Sequence, residues 1–254
     1  MLIAITRGVS ARITECELTH LAREPISLQR ARVQHRQYEN LLAKLGCKLI
    51  KLPAEPELPD SVFVEDTAVV LDELAVITRP GAESRRPETA SIATILKQYR
   101  KLLHIEPPGT LDGGDVLQVG KSIYVGLSRR SNQSGIEQLR KILSAFGYKV
   151  EAVTLHDCLH LKSAVTHVAE DTLLINRQWV DDKTFGNMQF IEVAPQEPFA
   201  ANAVLIGKPL IYPEAFPKTR QKLEAQGIGV RTLDASELAK AEGGVTCCSL
   251  IFEV

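Results

Sequence analysis

Residues 65–85 read EDTAVVLDELAVITRPGAESR. A polar opening leads into an apolar run, a two-residue polar turn and a second apolar run, which is the pattern of a β-hairpin. The same grammar returns in GGDVLQVGKSIYVGLSRRSN (113–132), KSAVTHVAEDTLLINRQ (162–178) and ANAVLIGKPLIYPEAFPKTR (201–220). The turns are LDEL, VGKS, AEDT and IGKP. The second runs end at Thr78, Gly126, Asn176 and Pro213, spaced by 48, 50 and 37 residues. A fixed grammar at intervals of this size marks a repeat architecture. A fifth hairpin can be assembled from the two ends, with CCSLIFEV (247–254) as its first strand and MLIAITRG (1–8) as its second. A chain paired in this way closes on itself.

Helical stretches lie between the hairpins. LQRARVQHRQYENLLAKLG (28–46) carries apolar residues at helical spacing and ends on Gly46, a C-cap residue. PETASIATILKQYRKLL (87–103), SGIEQLRKILSAFGYKV (134–150) and KTRQKLEAQGI (218–228) read the same way. Each precedes a strand-like piece: CKLIKLP, HIEPPG, KVEAVTL and GVRTLD. The expected fold is therefore α/β, a five-bladed pseudo-symmetric propeller of ββαβ units in one domain over residues 1–254. An ordinary open α/β sheet is the alternative.

The 254 residues, 44% apolar, suffice for a large core. With 30 basic and 31 acidic side chains, the balance excludes a typical nucleic-acid binder. The five cysteines, Cys16, Cys47, Cys158, Cys247 and Cys248, do not form a disulfide framework. Arg7 interrupts the first apolar run, which makes a poor signal peptide. No apolar run has membrane-spanning length, ~18 residues or more. A cytoplasmic protein with no membrane or nucleic-acid partner is expected.

In a ring, the polar openings of all hairpins converge on one central cavity. They bring Glu65 and Asp66, Asp112 and Asp115, His160 and Ser163, Asn202, and Cys247 with Cys248. A thiolate is a nucleophile and a nearby histidine serves as acid and base. Carboxylates would hold a cationic substrate and keep it protonated. A guanidinium uses both features. An amide substrate does not, because carboxylates repel a developing oxyanion. The pairs Arg85–Arg86 and Arg129–Arg130 follow second strands, where they could hold a substrate carboxylate. If 247–254 is a strand throughout, the adjacent thiols point to opposite faces.

PDSVFVEDTAVV, ITRPGAESRR, GTLDGGDVL, LHLKSA and GGVTCCSL, in this order, resemble the dimethylarginine dimethylaminohydrolase family of the guanidino-group-modifying superfamily. The resemblance implies a five-bladed α/β propeller and hydrolysis of N-ω-methylated arginine to citrulline through a Cys-thiouronium adduct. It implies Cys247 as nucleophile, His160 as acid and base, and Asp112 as the residue orienting His160. It implies Asp66 and Glu65 at the guanidinium, Asp60 at the α-amino group, and Arg85 and Arg130 at the α-carboxylate. Leu18 would lie in a lid, and Ala241 would offer a backbone carbonyl. No metal or organic cofactor is implied, and the substrate is a small molecule met by a monomer or homodimer. Deimination of arginine or another guanidine, or guanidine binding without catalysis, are the rival activities.

Overall fold

The computed structural model describes residues 1–254. The chain runs through β1 (Leu2–Arg7), α1 (Leu28–Lys44), β2 (Lys48–Leu52), β3 (Ala68–Val70), β4 (Leu74–Ile77), α2 (Thr89–Leu96) and β5 (Lys101–His104). It continues through β6 (Val116–Val119), β7 (Ser122–Leu127), α3 (Gln133–Ser144), β8 (Lys149–Thr154), α4 (Leu161–Ala164), β9 (Val165–Ala169), β10 (Thr172–Ile175) and β11 (Gln189–Glu192). The last elements are β12 (Val204–Leu205), β13 (Leu210–Pro213), α5 (Pro217–Ala225), β14 (Val230–Leu233), α6 (Ser236–Ala239) and β15 (Leu250–Glu253).

These strands form five sheets of three, ordered β15-β1-β2, β3-β4-β5, β6-β7-β8, β9-β10-β11 and β12-β13-β14. In each sheet the first two strands pair antiparallel and the third joins parallel. The four two-residue turns expected from the sequence all form. Leu71 N–H donates to the Leu74 carbonyl at 2.9 Å, and Val119 pairs with Ser122, Ala169 with Thr172, and Ile206 with Pro209. The terminal strands share one unit, with Leu2 opposite Glu253 and Ile5 opposite Leu250.

Five separate apolar clusters fill the wedges between neighbouring sheets. Ile136, Leu139 and Leu143, on one face of α3, pack with Leu74 and Val76 of one sheet and Ile123 and Val125 of the next. Ile92 and Leu96 of α2 join Ile3 and Ile5 to Ala75 and Ile77. Tyr38 and Leu42 of α1 lie in the wedge that holds Ala4 and Ile211, and this wedge closes the circle. A cavity of about 330 Å³ is lined by residues of β3, β6, β9, β12 and β15, so the first strand of every unit faces the axis.

Three local readings change. The strand after α2 starts at Lys101, not His104, because parallel pairing of residues 101–104 with β4 takes Leu102 and Leu103 out of the helical pattern. The third unit has only a 3₁₀ turn, Asp182–Phe185, where the others place a helix or its equivalent crossover. The polar openings are themselves folded. One helical turn precedes β3 (Val64–Thr67), β6 (Gly113–Asp115), β9 (α4) and β15 (Thr246–Cys248). These turns aim the functional side chains at the axis.

Candidate active site

The openings meet at one end of the ring. His160 and Cys247 line the same cavity, of about 430 Å³, with Trp179, Phe199 and Phe216 on its apolar side. His160 is buried at the start of α4. Its Nε2 lies 3.1 Å from Asp112 Oδ2 and its Nδ1 lies 3.9 Å from Asp66 Oδ1. Asp112, fully buried, also accepts the Gly81 N–H at 2.9 Å. Asp66 accepts the Gly114 N–H at 2.9 Å and Arg85 Nη1 at 2.6 Å. Asp115 supports this layer by accepting the Leu161 N–H at 3.0 Å and the hydroxyls of Ser128 and Ser131, both at 2.6 Å.

Burial alone would lower the His160 pKa, but Asp66, Asp115 and Asp112 outweigh it and raise it to about 9. Burial would raise the Asp66 pKa, yet His160 and Arg85 hold it well below the usual carboxylate range. Burial, then Glu65 and Asp66, push the Cys247 thiol well above its ordinary value. The resting pair at neutral pH is thus an imidazolium and a thiol. Asp66, Asp112 and His160 bring ligand-type atoms within 4.8 Å of one another. Their oxygens already serve Arg85 and the Gly114 and Gly81 amides, so the trio is an acid–base network.

The two cysteines part company through the 3₁₀ turn, not through strand alternation, since β15 begins only at Leu250. Cys247 Sγ accepts the Gly244 N–H at 3.4 Å and faces the large cavity. Cys248 turns outward among His35, Tyr38 and Leu233, with Sγ 3.6 Å from the Gly244 carbonyl. All five cysteines are buried and unpaired.

Asn202 pins the turn that carries Cys247. Its Oδ1 accepts the Thr246 N–H at 3.0 Å and its Nδ2 donates to Thr246 Oγ1 at 3.0 Å. Glu65 stands apart from the acid–base network. Its carboxylate takes Lys162 Nζ at 2.5 Å and Thr246 Oγ1 at 2.7 Å; Glu65 lines the axial cavity, and Lys162 lines both cavities. Asp60 is buried and accepts the Glu17 N–H at 3.1 Å. Arg130 is buried with Nη1 3.9 Å from Asp112 and Nη2 donating to Thr19 Oγ1 at 3.3 Å. Leu18 is half-buried against the core, and Ala241 is buried after α6.

Arg85 is not free to hold a substrate carboxylate in the way expected of it. It is buried between Asp66 and Glu88, donating to Glu88 at 2.9 and 3.2 Å and to the Phe63 carbonyl at 3.1 Å. Its neighbour Arg86 pairs with Glu83 instead. Sequence reasoning also missed Lys162, Thr246 and Glu242 as parts of the site. Lys162 and Thr246 sit inside recognised motifs, so their position was the available signal. Glu242 offered none.

Gly114 is where the network tolerates no side chain. A Cβ there would lie 2.6 Å from His160 Nδ1 and 2.8 Å from Asp66 Oδ1. Gly114→Ala is expected to cost about 1–3 kcal/mol of stability and to lower turnover by separating His160 from its acids. Urea unfolding and a steady-state turnover assay check both.

Residues 54–210 match the arginine deiminase family. The dimethylarginine dimethylaminohydrolase of Pseudomonas aeruginosa is 38% identical over 86% of this chain and 87% of its own. That of Streptomyces coelicolor is 38% identical over 97% and 95%. The solved structure of a mutant of the Pseudomonas aeruginosa enzyme complexed with citrulline superposes with a TM-score of 0.94, at 35% identity and 98% coverage of both chains. The chain belongs to the arginine deiminase family and, within it, to the dimethylarginine dimethylaminohydrolases.

Proposed function

We propose that this chain hydrolyses N-ω-methylated arginines to citrulline and methylamine or dimethylamine, with Cys247 as nucleophile and His160 as acid and base. The activity follows from membership of the family. The observation that carries the residue roles is the shared cavity of Cys247 and His160, with His160 held between Asp112 and Asp66.

The guanidinium binds beside Asp66, and its positive charge lowers the cost of ionising the Cys247 thiol. The thiolate adds to the guanidinium carbon. His160, as imidazolium, gives its proton to the departing amine as the C–N bond breaks, leaving an S-linked thiouronium. Neutral His160 then takes a proton from water, which adds to the same carbon. The C–S bond breaks, the thiolate leaves and citrulline is formed. At the other end of the substrate, Asp60 receives the α-amino group and the Ala241 carbonyl and Leu18 flank it. Arg130 holds the α-carboxylate. Arg85 joins it only by loosening its hold on Asp66 or Glu88, so its first role is to orient Asp66. Glu65 contributes from beneath through its backbone and the Lys162 pair. No metal or cofactor enters these steps. All the groups come from one catalytic domain, residues 1–254, so a monomer or a homodimer serves equally. Five unpaired cysteines suit a cytoplasmic location, and no helix is long and apolar enough to cross a membrane.

Citrulline release from asymmetric dimethylarginine should exceed that from arginine by at least about tenfold in kcat/KM, a difference of ~1.4 kcal/mol. Faster turnover of arginine would replace this reading with deimination.

The acid–base state has its own consequence. In the free enzyme, activity needs an ionised Cys247 and a protonated His160. With the thiol pushed up and His160 at about 9, kcat/KM should rise with pH through the neutral range and fall only in the alkaline range. Bound guanidinium favours the thiolate, so the acid limb of kcat should lie below that of kcat/KM. Coincident acid limbs would remove substrate-promoted ionisation.

A further inference from the structure

Glu242 stands in the left-handed region, at φ 58°, a conformation a non-glycine residue adopts only against a cost. It lies between Ala241 and the Gly243–Gly244 pair that leads into the nucleophile's turn, and it lines the large cavity. Its carboxylate receives three successive backbone amides from a segment more than two hundred residues away. Thr19 N–H donates at 3.0 and 3.1 Å, and His20 and Leu21 N–H each donate at 2.6 Å to Oε1. His20 and Leu21 line the same cavity. Amides gathered on a carboxylate are charge-assisted donors, stronger than neutral pairs.

The segment over residues 17–21 has two other ties to the site. Glu17 N–H donates to Asp60 and Thr19 Oγ1 accepts from Arg130. Both partners are groups that the substrate's α-amino and α-carboxylate ends would claim on the reading above. When substrate binds, those two ties must be shared or exchanged. The Glu242 clasp involves no substrate group and can persist throughout.

We propose that Glu242 is a positioning residue for the reaction: its carboxylate latches the 17–21 segment over the cavity mouth and sets how tightly substrate and product are retained. This rests on the methylarginine reading of the cavity. The latch couples the mouth to the nucleophile loop, because Gly244, two residues on, donates its N–H to Cys247 Sγ.

Glu242→Ala removes the clasp while leaving a Cβ at the same φ, so backbone strain is held constant. Glu242→Gln keeps an oxygen where Oε1 receives all three amides and removes the charge and the second acceptor, Oε2, which Thr19 N–H also meets. The expected result for Glu242→Ala is a rise of about tenfold in both KM for dimethylarginine and the calorimetric Kd for citrulline, with the loss falling on KM and not on kcat. Trypsin cleavage after the exposed Arg23 should quicken in the presence of saturating citrulline. Glu242→Gln should fall between the two, and it carries the test if the alanine variant does not fold. Unchanged KM and Kd, or a loss confined to kcat, would overturn the latch. If wild-type protein neither bound citrulline nor turned over methylarginine, the functional reading would fail. The latch would then be judged by trypsin cleavage of the ligand-free proteins alone, with equal rates in wild type and variant counting against it.

Discussion

Cys247→Ser should reduce citrulline production by on the order of 10⁴-fold or more, while Cys248→Ala should leave turnover within a few-fold of wild type. A hydroxyl is a far weaker nucleophile than a thiolate, and His160, held as an imidazolium by Asp66, Asp115 and Asp112, is not a ready base for it. The adjacent thiol offers no substitute. The 3₁₀ turn sends Cys248 into the wedge with His35, Tyr38 and Leu233, and burial, then Glu65, pushes its thiol up to about 12. Its replacement removes packing, with a stability cost of about 0.5–2 kcal/mol. Citrulline assays and urea unfolding on the two variants separate chemistry from packing. Retained activity in the serine variant would end the assignment of Cys247.

His160→Gly should lower turnover of dimethylarginine by about 10²–10⁴-fold, the usual worth of a positioned acid and base. The loss has two parts that can be told apart. A guanidine analogue whose leaving group departs without a proton should still modify Cys247 in this variant. Release of the adduct needs a base for water, so the adduct should accumulate. Intact mass should show the adduct persisting in His160→Gly and turning over in wild type. Removing the buried imidazolium also leaves Asp66 and Asp112 facing each other without their shared partner. Some loss of stability at neutral pH is expected, and circular dichroism must show a folded variant. Prompt hydrolysis of the adduct without His160 would mean that another group serves as the base.

The hairpin units were legible because their signals are local. Alternating apolar runs, two-residue polar turns and a helix-ending Gly46 each act over a few residues, and those features reappear in the folded chain. Closure through the termini was legible because CCSLIFEV had no other partner in the repeat grammar. Where neighbouring signals overlapped, the reading slipped. The helix-like KQYRKLL is divided at Lys101 because β4 offers those residues a parallel partner. The helical turns at the polar openings were invisible because each is a single turn, too short to have a period.

The sequence by itself determined five hairpin units, their closure into a ring and the residue types that the openings deliver to the axis. Propensity, turn chemistry and apolar spacing are properties of neighbours along the chain. Only the tertiary structure decided what those residues do to one another. Asp112 and Asp66 raise the His160 pKa across 48 and 94 residues of sequence, Arg85 is captured beneath Asp66, and Glu242 clasps amides at the opposite end of the chain. Coulombic and hydrogen-bond energies depend on distances of a few ångströms in space and on burial, and neither quantity is written in the local order of residues.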